Sequence, residues 1–473
     1  MPDQFDMVVI GGGPGGYVAA LRGRRLGLSV ALVEKQSIGG VCLNRGCIPT
    51  KALLADAEGI RWMHRAAKEQ IIGPAPEANF SRMIQRKDSV VGNLVRDLEK
   101  HLAAAGVKIV LGCARLTGPG EIQTDSGVQI RAKNVVLATG STSWTPPIDG
   151  ANLPGVLTTD QILQLDKAPH RLVIIGGGAI GQEFAAIFSA VGAQATILEA
   201  LDRILPGVDS ELARKYLNLL PPKKVAVELG VTALRIEKAG DSLRVVYERK
   251  SVEKAVDADI VLVAAGRRPW FGGVGIEELG IDLADGAVAV DSHLRTSISN
   301  MYAVGDVLGR RMLAHEAWFH GEVAAENIAG RERTAEDYLV PCCIYTFPQI
   351  AWVGLTQEDA ERSGRPHRTS TFPLSSNGKA LAMGEARGWV KLIEDSEKGR
   401  LVGAHIMGPS ASELVGEMTL AIRLGMSARD VADSIHPHPT ISEALREAAL
   451  GFLDGPLHAA ARIAAIPAQT RGK

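Results

Sequence analysis

Short runs of consecutive apolar residues, each ending in a glycine turn or an acid, recur along this chain and set its first structural expectation. Asp6-Met-Val-Val-Ile10 is a buried-strand pattern, and GGGPGG, Gly11 to Gly16, follows at once. The pattern then predicts a helix from Tyr17 to Leu26 and a second strand from Ser29 to Val33, ending in Glu34. Strand, glycine turn, helix, strand and acid is the order that a dinucleotide-binding unit requires. The order repeats from Leu172 to Ile175, through GGGAIG (Gly176 to Gly181) and a helix, to a strand from Ala195 to Leu198 and then Glu199. Gly11 precedes Glu34 by the same distance as Gly176 precedes Glu199. One such glycine fingerprint is a weak signal, whereas two in matching context are a strong one.

Each part has a physical job. Gly11 makes the tight turn, Gly13 lets the backbone approach a pyrophosphate, and Gly16 lets the helix pack on the strand. Gly176, Gly178 and Gly181 hold the matching places. The helix N-terminus offers unpaired N–H groups and a positive dipole end to phosphates. Glu34 is an acceptor for ribose hydroxyls. Two dinucleotides on one chain imply an electron relay, typically between flavin and nicotinamide.

Further apolar runs fit this plan. Asn134 to Gly140 (NVVLATG) reads as a strand ending in a small-residue turn, and Ile260 to Gly266 (IVLVAAG) repeats it. Thr145 to Gly150 reads as a linker, and Asn300 to Asp306 as a strand that delivers a carboxylate at its C-terminal end, where ligands of open α/β sheets sit. From Tyr338 the glycine loops stop. Strand-like runs at Tyr345 to Val353 and Trp389 to Ile393 mark a separate domain.

At 473 residues the chain exceeds one ordinary core. A net charge of -1 encodes no global pull toward nucleic acid or anionic membrane. No apolar run approaches the length of a membrane span, and Met7 to Ile10 is too short for a signal-peptide core. Five cysteines are too few for a disulfide scaffold, which makes a reducing compartment, the cytoplasm, the default expectation.

Two of those cysteines carry chemistry. Cys42 and Cys47 lie within GGVCLNRGCIPTK, Gly39 to Lys51. In a regular helix they would point roughly 140° apart. They can therefore bridge only across a distorted backbone, which Gly46 and Pro49 permit. A bridge inside a phosphate-binding unit reads as catalytic rather than structural. The alternatives are two buried free thiols or half of a zinc site, and no second ligand pair at metal spacing lies nearby. Cys113, Cys342 and Cys343 read as buried, small apolar residues.

With these residues in place, the chain resembles the pyridine nucleotide–disulfide oxidoreductase family, and within it the dihydrolipoamide-oxidising branch. GGGPGGYVAA, GGVCLNRGCIPTK, VLATGS, GGGAIGQEF, MYAVGD, MLAHEA, YTFPQIAWVG, ALAMGEARG and HPHPTISEAL occur in family order between about Asp6 and Phe452. The resemblance implies an α/β fold with two Rossmann-like domains, for FAD and NAD, and an α+β C-terminal dimerisation domain. The expected boundaries are 1–145 and 273–337 for the FAD domain, 146–272 for the NAD domain, and 338–473 for the interface domain and tail.

On the FAD side the resemblance implies Gly11, Gly13, Gly16, Glu34, Lys51, Thr139, Gly140, Ser141 and Asp306, with Met312, Leu313, Ala314 and His315 lining the far side of the flavin. On the NAD side it implies Gly176, Gly178, Ile180, Gly181, Glu183, Glu199 and Gly266, with Glu183 beside Lys51. It assigns Cys47 to the flavin and Cys42 to exchange with substrate. His438 becomes the base that takes the substrate thiol proton, oriented by Glu443. Thr440-x-x-Glu443 is also a capping box, so Glu443 has a second possible job. In the family this base reaches the cysteine pair of the partner subunit, which implies a two-fold homodimer. The implied reaction is dihydrolipoamide plus NAD⁺ to lipoamide plus NADH, with the lipoyl group on a carrier of a 2-oxo acid dehydrogenase or glycine cleavage system.

Glu199 favours NAD directly, since a carboxylate repels the extra phosphate of NADP, and Arg203 is the counter-signal. Other disulfide or mercuric reductases are the alternatives within the fold. A redox-inactive flavoprotein scaffold or NADH sensor is the alternative outside it, and would need none of Cys42, Cys47 and His438. Three departures stand out. Trp270 and Phe271 replace small polar residues on an expected surface of the NAD domain. Leu219-Leu-Pro-Pro222 reads as a broken helix. The tail after Leu453 is rich in Ala and Pro.

Overall fold

Hydrophobic pattern and glycine placement generate two compact units, seen in a computed structural model that describes residues 3–336 and 338–459. The first unit takes the chain up to Ala200 together with Ala226–Tyr338; the second takes Leu201–Val225 and the chain from Leu339 on. Most of the Ala- and Pro-rich tail, residues 460–473, lies outside the described residues.

The first unit opens with β1 (Asp3–Ile10), α1 (Pro14–Arg25) and β2 (Val30–Glu34), followed by α2 (Gly40–Arg45), α3 (Cys47–Lys68) and α4 (Phe80–Ala104). Strands β3 (Lys108–Leu111), β4 (Ala114–Gly118), β5 (Glu121–Thr124), β6 (Gln129–Leu137) and β7 (Ser141–Ser143) come next. The repeat follows: β8 (Val156–Thr158), α5 (Thr159–Ile162), β9 (Arg171–Ile175), α6 (Ala179–Ala190) and β10 (Gln194–Glu199). Helix α7 (Ser210–Leu219) belongs to the second unit. The chain returns through β11 (Val225–Leu229), the antiparallel set β12 (Thr232–Ala239), β13 (Ser242–Arg249) and β14 (Val252–Ala258), then β15 (Ile260–Val263) and β16 (Arg267–Pro269). A small hairpin, β17 (Leu283–Ala284) and β18 (Ala287–Val288), precedes β19 (Met301–Ala303) and α8 (Ala314–Ile328).

In the first sheet the order is β3-β2-β1-β6-β5-β4, with β19 also against β6. β1 runs parallel to both neighbours, with Ile10 opposite Val33 on one side and Leu137 on the other. The chain leaves β1 toward one side and returns on the other, so a crevice opens at its C-terminal end. The repeat obeys the same rule: β9 sits between β10 and β15 in the order β11-β10-β9-β15-β8. Both central strands are buried on both faces, which explains their unbroken Val and Ile runs. Trp270 and Phe271 pack against the core of the first sheet rather than on an NAD-domain surface, and β16 pairs with β7.

The second unit carries a five-stranded antiparallel sheet: β20 (Cys342–Ile344), β21 (Gln349–Gly354), β22 (His367–Pro373), β23 (Trp389–Asp395) and β24 (Arg400–Gly408), in the order β20-β21-β24-β23-β22. Helices α9 (Gln357–Arg362), α10 (Gly378–Ala382), α11 (Ala411–Arg423), α12 (Ala428–Asp433) and α13 (Glu443–Leu450) complete it. The strand expected from Tyr345 to Val353 starts only at Gln349, as β21, because Pro348 brings no N–H to a ladder; β20 ends just before the expected run, at Ile344. The Pro-broken helix is α7, which ends at Leu219. Cys113, expected inside, is exposed in the turn between β3 and β4, where its backbone N–H donates to Asp125; Cys342 and Cys343 are half-buried. No helix among the described residues is long and apolar enough to cross a membrane.

Candidate active site

The two glycine turns superimpose their logic closely. Gly11 (φ +107°) and Gly176 (φ +116°) take left-handed backbone against the end of the neighbouring strand, where a Cβ would lie 2.2 Å from the Ala138 carbonyl oxygen or 2.4 Å from that of Ala264. Gly16 and Gly181 pack their helices so closely that a Cβ would come within 1.9 and 2.1 Å of the Gly11 and Gly176 carbonyl oxygens. The middle glycines differ. A Cβ at Gly13 would meet nothing nearer than 3.9 Å, and at Gly178 nothing within 4 Å. Space is therefore kept where a pyrophosphate must approach.

Glu34 and Glu199 hold these turns as well as ending their strands. Glu34 accepts from the Gly12 N–H at 2.7 Å and, on its other oxygen, from the Gln36 N–H. Glu199 accepts from the Gly177 N–H at 2.5 Å. Sequence reading missed this loop-bracing role, although the identical spacing was its signal.

Beside the first turn in the sheet order, Thr139 Oγ1 is buried with no hydrogen-bond partner among the described residues, a polar atom left for a ligand. A Cβ at Gly140 or Gly266 would likewise meet open space. Ser141 donates to Asp306 at 2.5 Å, and Arg267 donates to Ser141 through Nε. Burial pushes the Asp306 carboxyl up, against the lowering by Ser141 and Arg267. Arg267 was missed as a site residue; its place directly after Gly266 was the available signal. Met312, in a left-handed conformation (φ 56°), turns the chain through Leu313 into α8, whose first residues are Ala314 and His315. An open glycine cradle and an orphaned buried hydroxyl fit a dinucleotide in the first half of this unit, and the second cradle fits another.

Between these halves lies the dithiol. Gly46, off helical geometry, separates α2 from α3, so Cys42 ends up on one helix and Cys47 at the start of the next. This is the backbone distortion that the spacing demanded. The two cysteines are thiols here rather than a disulfide, and they hydrogen-bond to each other. That bond, with Cys42 as donor, holds the Cys47 thiol below its ordinary range; burial opposes it and the Lys51 charge assists. Cys42 is driven upward by the same bond and by burial. Lys51, one turn along α3, pairs with the buried Glu183 of α6 at 2.8 Å. Ile180 lies in the first turn of α6.

In the second unit His438 stands outward, its side chain 78% exposed, with Nδ1 2.8 Å from Glu443 Oε1. The other Glu443 oxygen accepts from the Thr440 N–H. Against the upward push of burial, that bond and the His438 ring hold the Glu443 carboxyl below its ordinary range. The Thr440 hydroxyl turns to the Pro437 carbonyl oxygen, so only half of the capping box forms. Glu443 braces the loop and the imidazole together. Among the described residues, no three His, Cys, Asp or Glu side chains gather as a metal site would need.

Residues 5–321 match the pyridine nucleotide-disulphide oxidoreductase family, and residues 340–449 match its dimerisation domain. Dihydrolipoyl dehydrogenase of Staphylococcus aureus is 38% identical over 464 residues, which span 97% of this chain and 98% of that one. Its counterpart in Thermus scotoductus is 39% identical over 450 residues, 94% and 96% of the two chains. Among solved structures, the HOCl-induced flavoprotein disulfide reductase RclA from Escherichia coli aligns with a TM-score of 0.85 at 29% identity, over 94% of this chain and 99% of that one. The cofactors are FAD and NAD. Matched along nearly its whole length, the chain belongs to the pyridine nucleotide-disulphide oxidoreductase family and is an oxidoreductase.

Proposed function

We propose that the enzyme is an NAD-dependent dihydrolipoamide dehydrogenase. The observation that carries this reading is the His438–Glu443 pair, 2.8 Å apart with the imidazole standing out from its unit. Oxidising a dithiol requires a base for the thiol proton, and a carboxylate at Nδ1 leaves Nε2 to accept it. The full-length similarity to dihydrolipoyl dehydrogenases supports the same substrate.

The cycle begins with a Cys42–Cys47 disulfide. His438 of the partner subunit takes a proton from dihydrolipoamide, and the resulting thiolate attacks Cys42. A mixed disulfide forms and Cys47 leaves as a thiolate, the charge that its lowered pKa favours. The second substrate sulfur then closes on the first, which releases lipoamide and leaves the protein dithiol. FAD, when bound, supplies the two-electron carrier between that dithiol and NAD⁺. Lys51 and Glu183 place a fixed ion pair between the thiols and the second glycine turn. Glu199 favours the free ribose hydroxyls of NAD, while Arg203 donates to the Pro206 carbonyl oxygen of its own turn.

The lipoyl group is expected on a carrier domain of a 2-oxo acid dehydrogenase or glycine cleavage assembly, in the cytoplasm. The test is NADH production by FAD-loaded enzyme given dihydrolipoamide with NAD⁺ or, in parallel, NADP⁺. Turnover with NAD⁺ alone is the expected result. No turnover, in protein whose flavin NADH still reduces, would overturn the substrate and turn attention to other disulfides.

A further inference from the structure

Trp270 and Phe271 are the aromatic pair that the resemblance left unexplained, and the structure gives Trp270 a definite address. Its backbone N–H donates to the Gly140 carbonyl oxygen at 2.9 Å, just beyond the end of β6. Its ring lies 3.4 Å beneath the Lys35 ammonium, measured to the ring centroid. Lys35 is exposed and follows Glu34, the last residue of β2. In this sheet β1 runs between β2 and β6. Neighbouring strands are about 4.8 Å apart, so the Trp270–Lys35 contact arches over roughly 10 Å of sheet edge. What it arches over is the C-terminal end of β1, where Gly11 to Gly13 make the first nucleotide turn. Glu34, next to Lys35, braces that turn through the Gly12 N–H.

We propose that Trp270 and Lys35 form a cation–π clasp that closes on the adenosine half of bound FAD and retains it. The contact joins the residue after β2 to the residue after β16, above a sheet edge that β1 already holds together from within. The indole offers aromatic surface for adenine, and the ammonium offers charge near the ribose and pyrophosphate. The proposal stands on FAD binding alone and is independent of which thiol substrate the enzyme uses.

FAD release from the holoenzyme, read as recovery of flavin fluorescence on dilution, tests it. Trp270→Ala and Lys35→Gln should each speed release roughly two- to fivefold, the scale of a solvent-exposed cation–π contact. Trp270→Phe should fall between wild type and Trp270→Ala. Stripped enzyme reloaded with FMN, which lacks the adenosine half, should bind it equally well in wild type and Lys35→Gln. Lys35 is exposed, so Lys35→Gln leaves the fold intact even if Trp270→Ala does not fold. Wild-type FAD release in Lys35→Gln, or equal losses for FMN and FAD, would overturn the clasp.

Discussion

Cys47 starts a helix, accepts a hydrogen bond from Cys42 and lies one turn from Lys51, and each of these favours its thiolate. Its reactive form should therefore be lost at a midpoint below the ordinary value of about 8.5 as pH falls. Alkylation of the dithiol form by iodoacetamide should show that midpoint. Lys51→Met removes a positive charge and should raise it, whereas Glu183→Gln removes a negative charge and should lower it. A midpoint above 8.5 that neither change moves would contradict this electrostatic account. Residue identity at these positions was legible in the sequence, because chemistry of this kind demands particular side chains. Partner choice was less so. That Glu34 and Glu199 brace glycine turns, that Arg267 reaches Ser141, or that Thr139 is left without a partner depends on strands meeting in space.

At the level of elements, α7 shows where local pattern ends and tertiary packing begins. Its start is local: Asp209 accepts from the N–H groups of Glu211 and Leu212, and its end falls before Pro221. Its docking is not local. Lys391 of β23 reaches Asp209 at 2.9 Å and Glu211 at 3.2 Å, with Lys391 and Asp209 almost wholly out of solvent. Lys391→Met should strand the Asp209 charge and cost about 3–5 kcal/mol. Adding Asp209→Asn should restore part of that loss. Hydrogen-exchange protection of β23 and β24 measures both, and a Lys391→Met loss no larger than at an exposed lysine would refute the role. The break at Leu219 to Pro222 was visible in the sequence, but its purpose was not, since the partner lies far along the chain. Likewise the apolar run from Tyr345 to Val353 has strand composition throughout, yet its strand, β21, begins only after Pro348. The repeated strand–turn–helix units were legible because every part of that signal lies within a few dozen consecutive residues.

The whole molecule raises a question that neither unit answers alone: which chain's base serves which chain's thiols. Unit one supplies Cys42 and Cys47, and unit two supplies His438, within the segment matched by the dimerisation domain. That segment also leaves Ile435 98% exposed, three residues before His438, along with Leu420 and Leu424 on and just after α11. An apolar surface beside an outward-facing base is what a site completed by a second copy would present. Mixing two inactive variants decides the matter. Cys42→Ser and His438→Gln, unfolded together and refolded as an equal mixture, yield half mixed dimers if pairing is random. If the base acts across the two-fold axis, each mixed dimer regains one intact site, so activity should recover to about a quarter of wild type. If the base acts within its own chain, every site in every dimer carries one lesion, and activity should stay at the level of the single variants.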